Sequence, residues 1–172
     1  WGFNLLGPGA NTNLFGRGFA YARQLPMGAK FIAKDDPDTK LATYMPNMFS
    51  PKFPAYCDAV AKRECAPRAN DPDLFGYFLD NEIHWWGAGS PNGGLGLFDA
   101  AAKLPATHSA RQALAAFLAE RGIDDPAAAN DEVREAFVLE AARRFFSVTT
   151  AAIRKYDANH LILGVRFAGL TG

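Results

Sequence analysis

Apolar positions in this chain fall into short continuous blocks and one long helical stripe. Residues 3–7, Phe3-Asn4-Leu5-Leu6-Gly7, form a brief apolar block closed by Gly7-Pro8-Gly9, which predicts a strand and then a loop. Asn11 to Tyr21 has room for a short helix, weakened by Gly16 and Gly18. Leu25 to Ala33 reads as a second strand, interrupted by Pro26 and Gly28. A polar, proline-bearing loop runs from Lys34 to Pro54, yet it carries Tyr44, Met45, Met48 and Phe49. A loop of that length with such residues points to function rather than disorder. Pro54 to Glu64 then predicts a helix with Tyr56, Cys57 and Val60 on one face, ended before Pro67.

The second half is more regular. An apolar, aromatic block at about 74–80, entered from Asp71-Pro72-Asp73, predicts a buried strand. Glycines 87, 89, 93, 94 and 96 follow Trp86 without any phosphate-binding spacing, which predicts a cleft-lining loop. Ser109-Ala110-Arg111-Gln112 fits a capping box for a helix stopped at Gly122. From about Asp131 to Tyr156, Val133, Phe137, Ala141, Phe145, Val148 and Ala152 recur at three- and four-residue steps, one stripe of a long helix. Asp157-Ala158-Asn159-His160 turns the chain into Leu161-Ile162-Leu163-Gly164-Val165, a continuous apolar strand of the kind buried on both faces in parallel sheets. Strands alternating with helices predict βαβ units in an α/β fold.

Composition narrows the function classes. The chain has 172 residues, enough for a real core, with 49% hydrophobic and 21% charged residues and zero formal net charge. That balance gives no electrostatic footprint for nucleic acid or for an anionic membrane surface. No apolar run approaches the ~20 residues of a membrane helix. The chain opens on Trp1-Gly2-Phe3-Asn4 without an initiator Met or signal sequence, and reads as a piece of a longer protein. Cys57 and Cys65, eight positions apart in a helix, would lie ~12 Å from each other, beyond disulfide reach, and are expected as buried thiols.

Chemistry concentrates at one strand end, in Asp80-Asn81-Glu82-Ile83-His84-Trp85-Trp86. Groups so costly to bury unpaired suggest a cleft. Strand alternation would put Asp80, Glu82 and His84 on one face, a conceivable divalent-metal site. His108 and His160 are the other imidazoles, and His160, in a helix-to-strand turn, is expected to be structural. The same residues also suit sugar acetal hydrolysis. Glu82 would be the proton donor, its pKa raised by an apolar wall, with Asn81 bonding a ring hydroxyl and Trp85 and Trp86 stacking on sugar rings. The plain alternative is a salt-bridged glutamate among core tryptophans.

Gly76-Tyr77-Phe78-Leu79-Asp80-Asn81-Glu82 closely resembles the fourth strand of the glycoside hydrolase family 50 β-agarases. Trp1-Gly2-Phe3-Asn4 resembles that family's second strand and Leu25-Pro26-Met27 its third. Met48-Phe49-Ser50-Pro51-Lys52-Phe53 with Ala61-Lys62-Arg63-Glu64-Cys65 resembles the loop and helix that follow. Arg154 to His160, through Arg166-Phe167-Ala168-Gly169, resembles the fourth helix and fifth strand, whereas Gly7-Pro8-Gly9 departs from the expected end of strand two. The resemblance implies a partial (β/α)8 TIM barrel, about strands 2 to 5, with residues 1–172 forming part of one catalytic domain. It implies a retaining mechanism with Glu82 as general acid/base, and Asn81, His84, Trp85, Trp86 and Arg166 as substrate-binding residues. No cofactor or metal is implied. The implied partner is an oligo- or polysaccharide containing galactose, and the implied location secreted or periplasmic. The family's nucleophile, a glutamate ending strand seven, has no counterpart here. The rival readings are another enzyme of the same clan, such as a β-galactosidase, a non-catalytic carbohydrate-binding protein, or a metal-dependent enzyme using Asp80, Glu82 and His84. The 34–54 and 84–105 loops are expected to form the cleft. The 172 residues alone are expected to be inactive and poorly stable.

Overall fold

The computed structural model describes all residues except 1, 3, 34, 86–95 and 167–172. Its centre is a four-stranded sheet of β1 (Leu5–Leu6), β2 (Ala20–Gln24), β5 (Leu74–Asn81) and β6 (Leu161–Arg166). Each neighbouring pair is parallel, and the spatial order β1-β2-β5-β6 follows the chain. A separate antiparallel pair, β3 (Lys40–Ala42) and β4 (Met45–Pro46), lies in the connection from β2 to β5. That connection also carries α1 (Phe53–Glu64), while α2 (Leu97–Ala102), α3 (Ser109–Ala119) and α4 (Asp131–Arg154) join β5 to β6. The fold is mixed α/β. Among the described residues no helix is long and apolar enough to cross a membrane.

The strongly periodic elements form where the pattern puts them, and the weakly patterned ones shift. The second strand occupies Ala20–Gln24, upstream of the predicted Leu25–Ala33. Pro26 has no N–H to give a ladder, so regular pairing stops before it, although Leu25 and Met27 still donate to the carbonyls of Phe78 and Leu79. Asn11 to Tyr21 holds only a 3-10 turn over Thr12–Leu14. The apolar residues within the expected 34–54 loop fold back as the β3–β4 hairpin, burying Leu41, Met45 and Met48. The C-terminal part of the expected 84–105 loop is helix α2, with Leu97, Phe98, Ala100 and Ala101 buried. The capping box also fails. His108, not Ser109, is the N-cap of α3, its Nδ1 accepting the Ala110 N–H at 3.2 Å. Ser109 meanwhile donates its N–H to Asp38 and its Oγ accepts from Asn47, which ties the hairpin connection to α3.

Helix α4 packs against α1, each turning inward the stripe that its periodicity predicts. Phe137, Ala141, Phe145, Ala152 and Ile153 of α4 are buried, as are Phe53, Cys57, Val60 and Ala61 of α1. The two cysteines are free and buried, and burial pushes each thiol up to about 12. Gly76 lets β6 approach β5, since a Cβ there would sit 2.6 Å from the Leu161 carbonyl oxygen. Behind that contact, the Tyr77 hydroxyl donates to Asp157 at 2.6 Å, and His160 bridges Asp157 (Nδ1, 2.7 Å) and the Asp71 carbonyl (Nε2, 2.9 Å). His160 therefore stitches the turn before β6 onto β5. Strand β6 itself is only partly buried, with Leu161 50% exposed, because it has a described neighbour on one side only.

Candidate functional site

The cluster 80–85 lies at the carboxyl end of β5, a central strand of the parallel sheet. In open and closed α/β sheets alike, that end is where ligands bind. β5 finishes at Asn81. Glu82 then adopts φ 54, left-handed backbone that a non-glycine residue rarely takes, while its N–H donates to the Arg166 carbonyl at 2.8 Å. The strand thus breaks at the residue that carries the carboxylate, and Glu82 stands exposed at the sheet edge. Arg166, opposite Asn81 in the register, ends β6 and is exposed as well.

Asp80 has a different office. Its carboxylate is 1% exposed and accepts N–H groups from Gly28 and from Ala29 (3.0 Å), pinning the loop after β2 to β5. Burial lifts its pKa to about 6, against the three backbone amides of Ala29, Gly28 and Asn81 that favour the charge. A Cβ on Gly28 would come within 2.9 Å of that carboxylate and 2.6 Å of Pro46, so the hydrogen bond requires glycine. The alternation that would have aligned Asp80, Glu82 and His84 stops at Asn81, and no cluster of three metal-binding side chains occurs among the described residues.

His84 is half-buried and meets the tip of the β3–β4 hairpin. Its N–H donates to the Tyr44 carbonyl at 3.4 Å, and the two rings meet edge to face with centroids 4.9 Å apart. Trp85 turns the other way, onto α4. Its indole stacks on Phe146 (5.8 Å) and meets Phe145 edge to face (5.7 Å). Two buried polar atoms at this strand end have no hydrogen-bond partner among the described residues, Asn81 Oδ1 and Trp85 Nε1. Trp86 and the glycine-rich stretch 87–95 lie outside the described residues. The sequence marks Tyr44 among the apolar residues of the 34–54 loop, but not its contact with His84, which joins residues 40 positions apart.

A cavity of 530 Å³ opens elsewhere, between Ile32, Asp38, Leu41, Leu104 and His108. None of the residues from 80 to 85 lines it. It lies at the junction of the hairpin connection with α3, and the Asp38 and His108 side chains on its wall are engaged in structural hydrogen bonds to Ser109, Ala110 and the Pro37 and Lys40 carbonyls. The strand end carries the better claim, because charge, strain and unpaired polar atoms coincide on it.

No family model matches the sequence, and no curated protein matches it. Solved structures do. The structure titled BpGH50 superposes with a TM-score of 0.76 at 20% identity over 96% of this chain. An agarase, AgWH50C, gives 0.70 at 26% identity over 97%, and an exo-beta-agarase 0.74 at 21% identity over 97%. This chain resembles glycoside hydrolase family 50. The family 50 likeness extends over nearly all of the chain. The chain in turn spans 39% of the BpGH50 chain, 25% of AgWH50C and 27% of the exo-beta-agarase.

Proposed function

We propose that the protein is a retaining glycoside hydrolase of β-agarase type, acting on a galactose-containing polysaccharide, with Glu82 as its general acid/base. In this reading the four parallel strands are about strands two to five of a single (β/α)8 catalytic barrel. The observation that carries it is the placement of Asn81-Glu82: an exposed carboxylate in left-handed backbone at the carboxyl end of a central parallel strand, in a fold similar to that of agarases.

Glu82 protonates the glycosidic oxygen as the bond to the leaving sugar breaks, then takes a proton from the water that attacks the glycosyl-enzyme. Asn81 Oδ1, buried and without a described partner, is an acceptor for the sugar hydroxyl beside the reacting carbon. His84, Trp85, Trp86 and Arg166 complete the proposed sugar-binding set. The nucleophile is a second carboxylate, ~5 Å from Glu82 in a retaining site, contributed from outside these residues. Asp80 does not serve, because its carboxylate is buried under the β2 loop. The test is product analysis by NMR with the intact protein and agarose. Oligosaccharides released with the β configuration retained support the reading. Release with inversion, or none from any galactan, refutes it.

A further inference from the structure

We propose that Tyr44 is an aromatic platform on which a ring of the galactan substrate stacks. The proposal rests on the glycoside hydrolase reading above, and adds to it a residue from outside the strand that bears Glu82. Tyr44 makes the turn between β3 and β4 with φ 55. Only two non-glycine residues among those described take left-handed backbone, and they are Tyr44 and Glu82. A hairpin turn in that conformation is built with less strain from glycine or asparagine, because their backbones reach it without the Cβ clash or with local compensation.

The ring does not recover that strain through burial, since Tyr44 is 66% exposed, the most exposed of the large apolar side chains described. Its neighbours Met45 and Leu41 are fully or almost fully buried and are enough to hold the hairpin on the core. What Tyr44 does have is position. Its carbonyl receives the His84 N–H and its ring meets the His84 ring at 64°, which fixes the hairpin tip two residues beyond Glu82. Strain kept in an exposed residue that holds His84, two positions along the chain from the proposed acid, fits a ligand clamp. A held but uncovered phenol ring matches the chemistry of a neutral sugar, whose axial C–H groups form an apolar face that an aromatic ring can cover. The predicted ligand is therefore an uncharged, galactose-containing oligosaccharide long enough to reach from Glu82 to the hairpin tip.

The test uses the intact protein carrying Glu82→Gln, so that binding is measured without turnover, and titrates it with agarose-derived oligosaccharides in a calorimeter. Adding Tyr44→Ala or Tyr44→Gly should weaken binding about tenfold, the scale of one lost aromatic contact. Tyr44→Phe should bind within about twofold of the parent. Tyr44→Gly should melt at or above the parent temperature, because glycine suits the turn; a lower melting point with unchanged affinity would make Tyr44 a structural residue. Equal affinity for parent, Tyr44→Ala and Tyr44→Gly overturns the platform alone. A Glu82→Gln parent that binds no galactan, together with an unsubstituted protein that cleaves none, overturns the glycoside hydrolase reading and the platform with it.

Discussion

The backbone N–H of Glu82 donates to the carbonyl of Arg166 at 2.8 Å, one residue past the end of β5. The bond holds the acid at the rim of the sheet in the same step that its φ of 54 turns the chain out of the strand. Such backbone costs a non-glycine residue about 1 to 3 kcal/mol, and nothing in the fold needs the exposed carboxylate to offset it. Glu82→Gly should therefore leave stability unchanged or raise it by about 1 kcal/mol, measured by urea denaturation, while hydrolysis is lost. A drop of more than about 2 kcal/mol would instead assign Glu82 to the fold.

Asp80, two residues earlier, should behave in the opposite way. Removing it in Asp80→Ala leaves the Gly28 and Ala29 amides without their acceptor, a loss of about 2 to 4 kcal/mol. Its pKa of about 6 lies above the ordinary carboxylate value near 3.9. A raised carboxylate adds stability that is fully present below about pH 4 and is lost as pH rises through about 6. Over that window Asp80 lowers stability by an amount on the order of 2 kcal/mol. Asp80→Asn keeps an oxygen for the two amides and should flatten the slope of stability between pH 4 and 6. An unchanged slope would show that Asp80 is ionised throughout.

Asp157, held between Tyr77 and His160, titrates with the reverse sign. Burial works upward on the Asp157 carboxyl, but hydrogen bonds from Tyr77 and His160 and the amides of Asn159 and His160 hold it below its ordinary range. Its contribution is present above the unfolded pKa and is lost as pH falls through the lower folded one. Tyr77→Phe should cost about 1.5 to 3 kcal/mol at neutral pH, read as a shift of the urea midpoint. That cost should shrink in strong acid. A constant cost across the range would place the effect in packing alone.

Trp85 divides its surface between α4 and the strand end. Losing its stacks on Phe145 and Phe146 in Trp85→Ala should cost about 2 to 4 kcal/mol in stability. If the indole also holds sugar, oligosaccharide affinity per folded molecule falls as well. Affinity that stays constant in the surviving folded fraction assigns the ring to the core.

How far the sequence speaks for itself differs along the chain. The stripe from Phe137 to Ala152 and the block Leu74 to Asp80 are legible because hydrophobic period and buried face coincide. The strand at Ala20–Gln24 is not, since its run Ala-Tyr-Ala-Arg-Gln is half polar and the more apolar Leu25-Pro26-Met27 beside it attracts the assignment. The hairpin at 40–46 hides for a similar reason. Its strands are two and three residues long, and its turn lacks the glycine that marks most hairpins. At the site, the residues around Glu82 are legible by type, but their directions are not. That Asp80 would point under the β2 loop, and Trp85 onto α4, depends on residues 51 and 61 positions away, which no local pattern carries.

The central claim is that Glu82 moves the proton. The most direct measurement is the kinetics of Glu82→Gln in the intact protein on two aryl galactosides, one with an activated leaving group and one without, with and without azide. Glutamine cannot protonate the leaving oxygen, so the poor leaving group should slow by orders of magnitude more than the activated one. Azide should restore turnover of the activated substrate and yield the β-galactosyl azide, because it attacks the glycosyl-enzyme without a general base. Equal loss on both substrates, with no azide product, would contradict the assignment.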